Sequence, residues 1–277
     1  MLERTIRAVL GHYGYKIARV DAAPSYTDLW QPQAYMGEEF MTIFGQWRKI
    51  MGVNSFSPSF YTTYRALKFL IANEVPGAFV ESGVFKGSQC VLVALTLRHL
   101  GADDRSIYLY DTFFGMPEPG ENDFELHKRY RATDRWHRER NGHGSHWNRG
   151  TLDEVRRNML ATGYDEARLV IVPGKVQDTL PKASLQKIAF LRLDTNFYDS
   201  TRAEMEWLYP CLSPGGVLIV DGYGRWSGQK KAVDEYFNAE RAEPLMLRVG
   251  YNDWISVRAC RLAGHSHRMA STSASAR

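Results

Sequence analysis

Short apolar strands alternate with helices through most of this chain, and few folds tolerate that order. Ala78–Val80, Ile107–Tyr110, Leu169–Val172, Ile188–Leu193 and Gly216–Val220 read as strands. Helices are predicted over Ala66–Asn73, Ser88–Leu100, Thr151–Thr162 and Gln229–Glu240, with another starting near Thr201, where Thr201 and Glu204 have capping-box spacing. Such alternation predicts an α/β fold, a parallel sheet covered on both faces. The end of the chain breaks the pattern. Leu245–Val249 and Trp254–Arg258 read as strands joined by a turn over Gly250–Asp253, so the last strand is expected to run antiparallel.

The 277 residues suffice for one large domain with a small accessory region. Residues 1–60 carry Tyr13, Tyr15, Tyr26, Trp30, Tyr35, Phe40, Phe44, Trp47, Phe56 and Phe60 among Gly and Pro. They are expected to form a helical cap packed on the main domain (61–260) or on a second copy of the chain. Residues 115–150 are too long for an ordinary connection and read as a lid, and residues 261–277, rich in Ser and Ala, as a disordered tail. A net charge of +4 is too small to argue for nucleic acid. No apolar run is long enough to span a membrane. The three cysteines, Cys90, Cys211 and Cys260, show no metal or disulfide spacing, and the N-terminus is too polar for a secretory signal. The expected location is the cytoplasm.

Ligands of α/β sheets bind beyond the carboxyl ends of the strands. There the chain places Glu81, Asp111, Asp194 and Asp221. In Glu81–Ser88 the order is E-S-G-V-F-K-G-S, so Gly83 and Gly87 let backbone approach a ligand at a helix start, with Val84 and Ser88 beside it. The loop lacks G-x-G-x-x-G, which counts against a nicotinamide-dependent oxidoreductase. S-adenosylmethionine has no phosphate, and this tighter loop suits it, with Glu81 near the ammonium group. Asp111, followed by Thr112 and Phe113, is placed to accept hydrogen bonds from ribose hydroxyls, although a turn aspartate would look the same. Gly174 and Val176 suit the adenine ring. Asp194 and Asp221, on neighbouring strand ends, could hold Mg²⁺ or Ca²⁺ and so activate a substrate hydroxyl, or could be turn residues. His143 and His146 in the lid are candidate general bases.

Six segments together resemble the macrocin O-methyltransferase family: FVESGVFKGS (79–88), LYDTFFGMP (109–117), PGKVQDTLP (173–181), LRLDTNFYDST (191–201), LYPCLSPGGVLIVDGYG (208–224) and KAVDEY (231–236). The resemblance runs from about Tyr61 to Arg258. It implies a class I methyltransferase fold with a Rossmann-like sheet, S-adenosylmethionine as cofactor, and methylation of a hydroxyl on a small molecule such as a natural-product sugar. It also implies a homo-oligomer and a divalent metal held by Asp194, Asp221 and a second acid after it. Gly222 stands at that second position, and an expected Asp-x-Asp reads Asp194-Thr195-Asn196. Either the metal binds weakly, or Asp194 or a lid histidine acts alone as base, or the protein binds cofactor without catalysis.

Overall fold

The computed structural model describes residues 34–53, 56–142, 144–250 and 252–259. The early aromatics Tyr13 to Trp30, His143, Cys260 and the 261–277 tail lie outside the described residues.

Helices α1 (Gly37–Met51) and α2 (Pro58–Ala72) precede the first strand. The second begins eight residues before its sequence expectation, because Pro58 occupies its first turn and Ser57 accepts the Ser59 N–H. The sheet strands are β1 (Ala78–Ser82), β2 (Ile107–Asp111), β5 (Leu169–Pro173), β6 (Ile188–Leu193), β7 (Leu212–Val220), β8 (Leu247–Arg248) and β9 (Trp254–Val257). Between them run α3 (Ser88–His99), α5 (Leu152–Leu160), α6 (Val176–Thr179), α7 (Tyr198–Trp207) and α8 (Ser227–Ala239). The insertion adds α4 (Ala132–Glu139) and a two-strand ribbon, β3 (Arg140–Asn141) with β4 (Gly144–Ser145).

The seven strands lie in the order β5-β2-β1-β6-β7-β9-β8. The first five are parallel, while β9 pairs antiparallel with both β7 and β8. The final hairpin thus inserts its second strand beside β7. The central strands are apolar on both faces, as a doubly covered sheet requires. Phe79, Leu109, Phe190 and Ile219 pack towards α1, α2 and α3, and Val80, Tyr110, Leu191 and Leu218 towards α7 and α8. Helix α1 is pinned by its aromatic face: Phe44 stacks on Trp47, whose indole N–H donates to the Ser88 carbonyl at 2.9 Å.

Helix α7 starts three residues before the expected Thr201, and the capping box does not form. Its first N–H, on Tyr198, is capped instead by Asp123 Oδ1 at 2.8 Å, from the insertion. Thr201 and Glu204 lie on the buried face of the helix, and Glu204 accepts a hydrogen bond from Ser82. The other Asp123 oxygen accepts the Gly120 N–H, so this carboxylate ties the insertion to the sheet domain. Met116, Trp136, Trp147, Phe197 and Trp226 form a separate apolar cluster beneath the insertion.

Candidate active site

The carboxyl ends of β1, β2 and β6 open into a first chamber. Gly83, Asp111, Thr112, Gly174 and Val176, five of the expected cofactor residues, line it together with Asp194. Asp111 Oδ2 accepts the Phe85 N–H at 2.9 Å and Oδ1 the Phe113 N–H at 2.8 Å. Those bonds fix the carboxylate and oppose the burial that raises its pKa. Two oxygens offer about four acceptor positions, so capacity remains for ribose hydroxyls.

The other expected cofactor residues stand behind the chamber wall. Val84 and Phe113 are buried apolar residues of the core. Gly87 takes a left-handed conformation (φ +78°) just before α3, and the Ser88 carbonyl is held by Trp47. Glu81 is buried and faces Arg192 and Cys90 instead of the chamber, with Cys90 Sγ donating to Oε2 at 2.8 Å. Burial pushes its carboxyl up to about 7, against the pull of Arg192. Gly83 has a stricter reason to be glycine than ligand approach. Its φ is +86°, and a β-carbon there would sit 2.5 Å from the Asp194 carbonyl.

A second cavity, of about 320 Å³, adjoins the first and shares Met116, Asn148 and Asp194 with it. Its size falls within the range of small-molecule sites. Asp221, Asn252, Arg135, Trp147 and Trp226 complete most of its wall. Arg135 lies over the Trp147 ring at 4.3 Å from its centroid, which holds the guanidinium at the rim. Asp194 is thus where the two cavities meet.

Beneath that junction lies a charge cluster centred on Arg192, which the sequence reading passed over. Its side chain is 2% exposed, and Nε lies 3.2 Å from Glu81. Nη1 lies 3.4 Å from Asp253, and Nη2 contacts both Asp194 (3.3 Å) and Asp221. Pairing of β1 with β6 sets Glu81 beside Arg192, while Asp253 comes from the turn before β9. Burial and the neighbouring Asp221 push Asp194 well above the usual carboxylate range, and Asp253 up to about 7. One signal was available: a lone arginine in the otherwise apolar strand Ile188–Leu193 needs buried partners.

His146 is exposed and lines neither cavity; its ring faces the Asn141 amide at 3.3 Å. The ribbon turns the neighbouring Trp147 inward and His146 outward, so the side chain expected as a base is not brought to the junction. For divalent metal, Asp194 and Asp221 are the only acids among the described residues on the second cavity's wall, and both already face Arg192. Among the described residues, no group of three or more His, Cys, Asp or Glu is arranged to hold a metal ion.

Sheet order, terminal hairpin and a chamber at the ends of β1 and β2 define a class I methyltransferase fold. The solved structure of the O-methyltransferase NovP superposes with a TM-score of 0.69, at 24% identity, covering 80% of this chain and 100% of that one. The family model for macrocin-O-methyltransferase (TylF) matches residues 62–257, and the chain belongs to that family. Demethyldecarbamoylnovobiocin O-methyltransferase of Streptomyces niveus is 35% identical over 173 residues, 60% of each chain. The 8-demethyl-8-(2,3-dimethoxy-alpha-L-rhamnosyl)-tetracenomycin-C 4'-O-methyltransferase of Streptomyces olivaceus is 35% identical over 154 residues, 56% of each. The matched stretch therefore spans little more than half the length of these curated relatives.

Proposed function

We propose that the protein transfers the methyl group of S-adenosylmethionine to a hydroxyl of a small natural product or its sugar. One observation carries this reading: a chamber bearing Asp111 meets a polar second cavity at Asp194. Bound S-adenosylmethionine supplies the electrophilic methyl. Asp111 anchors the ribose, Gly83 leaves the chamber floor open, and Val176 covers an apolar ring. Asp194 orients the acceptor hydroxyl and takes its proton, a role that suits a carboxylate held above its usual range. Trp147 and Trp226 shape the acceptor cavity. Most of the acceleration comes from holding the hydroxyl in line with the methyl.

Relatives support a hydroxyl acceptor, since their names specify O-methylation and one names a rhamnosyl group. Incubation with methyl-labelled cofactor and a panel of rhamnosides and glycosylated aromatics tests the reading. Label in a methyl ether is expected, and its loss in Asp194→Asn assigns the role of that residue. Label appearing only on nitrogen would refute a hydroxyl acceptor.

A homo-oligomer fits the exposed Tyr35 and Met41 at the start of the helical region, and light scattering at micromolar concentration tests it. No helix among the described residues is long and apolar enough to cross a membrane, and the free thiols of Cys90 and Cys211 suit a reducing cytoplasm.

A further inference from the structure

We infer that methyl transfer in this chain runs without a divalent metal, because the guanidinium of Arg192 is the resident cation between the two acids that would hold one. The inference rests on the O-methyltransferase reading of the same site, and three features of the donor set carry it.

Asp194 and Asp221 turn the same side-chain oxygen, Oδ2, to one nitrogen, Arg192 Nη2. An arginine keeps its charge at any pH a protein survives, so this cation does not leave as a proton would. It cannot swing away either, since Nε and Nη1 are held by Glu81 and Asp253.

The remaining Asp194 oxygen also faces a donor. Asn196 Nδ2 donates to the Asp194 carbonyl at 2.9 Å and reaches Asp194 Oδ1 at 3.4 Å. An amide nitrogen presents hydrogens and no lone pair, so Asn196 Nδ2 adds no ligand atom for a cation on this side of Asp194.

Position 222 supplies no third acid, and its backbone conformation disfavours any side chain there. Gly222 has φ +100°, and a β-carbon there would lie 2.6 Å from both Asn196 Oδ1 and Gln229 Oε1. A carboxylate at 222 would have to adopt that left-handed backbone and displace both amide oxygens. Mg²⁺ demands near-octahedral oxygen ligands and gives up its water reluctantly, so two carboxylates already bound to a guanidinium are a poor site.

The reaction balances without the metal. The oxygen–methyl bond forms as the methyl–sulfur bond breaks, the electron pair of that bond stays on sulfur, and the hydroxyl proton passes to Asp194. Arg192 holds Asp194 and Asp221 in place beneath the acceptor.

Titration of MnCl₂ into the chelator-treated full-length protein, followed by the electron paramagnetic resonance signal of free Mn²⁺, tests the inference with and without S-adenosylhomocysteine. The signal is expected to match a protein-free control up to about 1 mM. Saturable uptake of one Mn²⁺ per chain below that concentration overturns the inference. So does methyl transfer that stops in EDTA and returns with Mg²⁺. Calorimetric binding of S-adenosylhomocysteine in the same samples reports on the cofactor reading separately, so the two can fail independently.

Discussion

The main-chain carbonyl of Asp194 lies 2.5 Å from the point that a β-carbon on Gly83 would occupy. The loop after β1 and the end of β6 are therefore in backbone contact, and the chamber floor is set by that contact. Gly83→Ala must adopt φ +86° and push Asp194 away. A loss of about 2 kcal/mol or more in urea denaturation is expected, together with weaker cofactor binding.

Arg192 is surrounded by four carboxylates, Glu81, Asp194, Asp221 and Asp253. Removing it leaves buried negative charge uncompensated, so Arg192→Met should destabilise the fold by about 3–5 kcal/mol at pH 8. Protonation of the carboxylates relieves the repulsion, and the loss should shrink at pH 5. Equal losses at the two pH values would show that the side chain matters for packing and not for charge.

Most of the architecture was legible in the sequence. The strands could be read because each is a short apolar run bounded by Gly, Pro or an acid, and β6 matches its expected limits of Ile188 and Leu193. Asp111, Gly174 and Asp194 could be placed together on one cavity because strand ends of an α/β sheet face it. The buried cluster was not legible, because its members come from four distant segments and only strand register sets Glu81 beside Arg192. The start of α7 was misplaced for the same reason. Its cap, Asp123, is 75 residues upstream, and local spacing drew attention to Thr201 instead.

Asp123 joins the insertion to α7 through Tyr198 and to its own turn through Gly120, both at 2.8 Å. Asp123→Ala should lower stability by about 1 kcal/mol, the usual worth of a helix cap. It should also speed amide exchange at Gly120 and Tyr198. Unchanged exchange at both amides would mean that the aromatic cluster around Trp147 and Trp226 holds the insertion alone.

Glu204 is fully buried, and its carboxyl is pushed up to about 8 by burial, from 4.5. The folded state therefore keeps a proton that the unfolded chain gives up. This contribution is fully present below pH 4.5 and is lost as pH rises through about 8. Glu204→Gln keeps the shape and cannot ionise, so it should be more stable than the parent at pH 9 by roughly 4–5 kcal/mol. The two proteins should converge near pH 5. Thermal unfolding across that range gives the comparison.

Cofactor recognition at Asp111 is the claim on which the other readings depend. Calorimetric titration of S-adenosylhomocysteine into the full-length protein and into Asp111→Ala measures it directly. One site per chain is predicted for the parent, weakened roughly 10- to 100-fold in the variant by loss of hydrogen bonds to a charged acceptor. No heat from S-adenosylhomocysteine, or equal affinity in the two proteins, would contradict the assignment of this chamber.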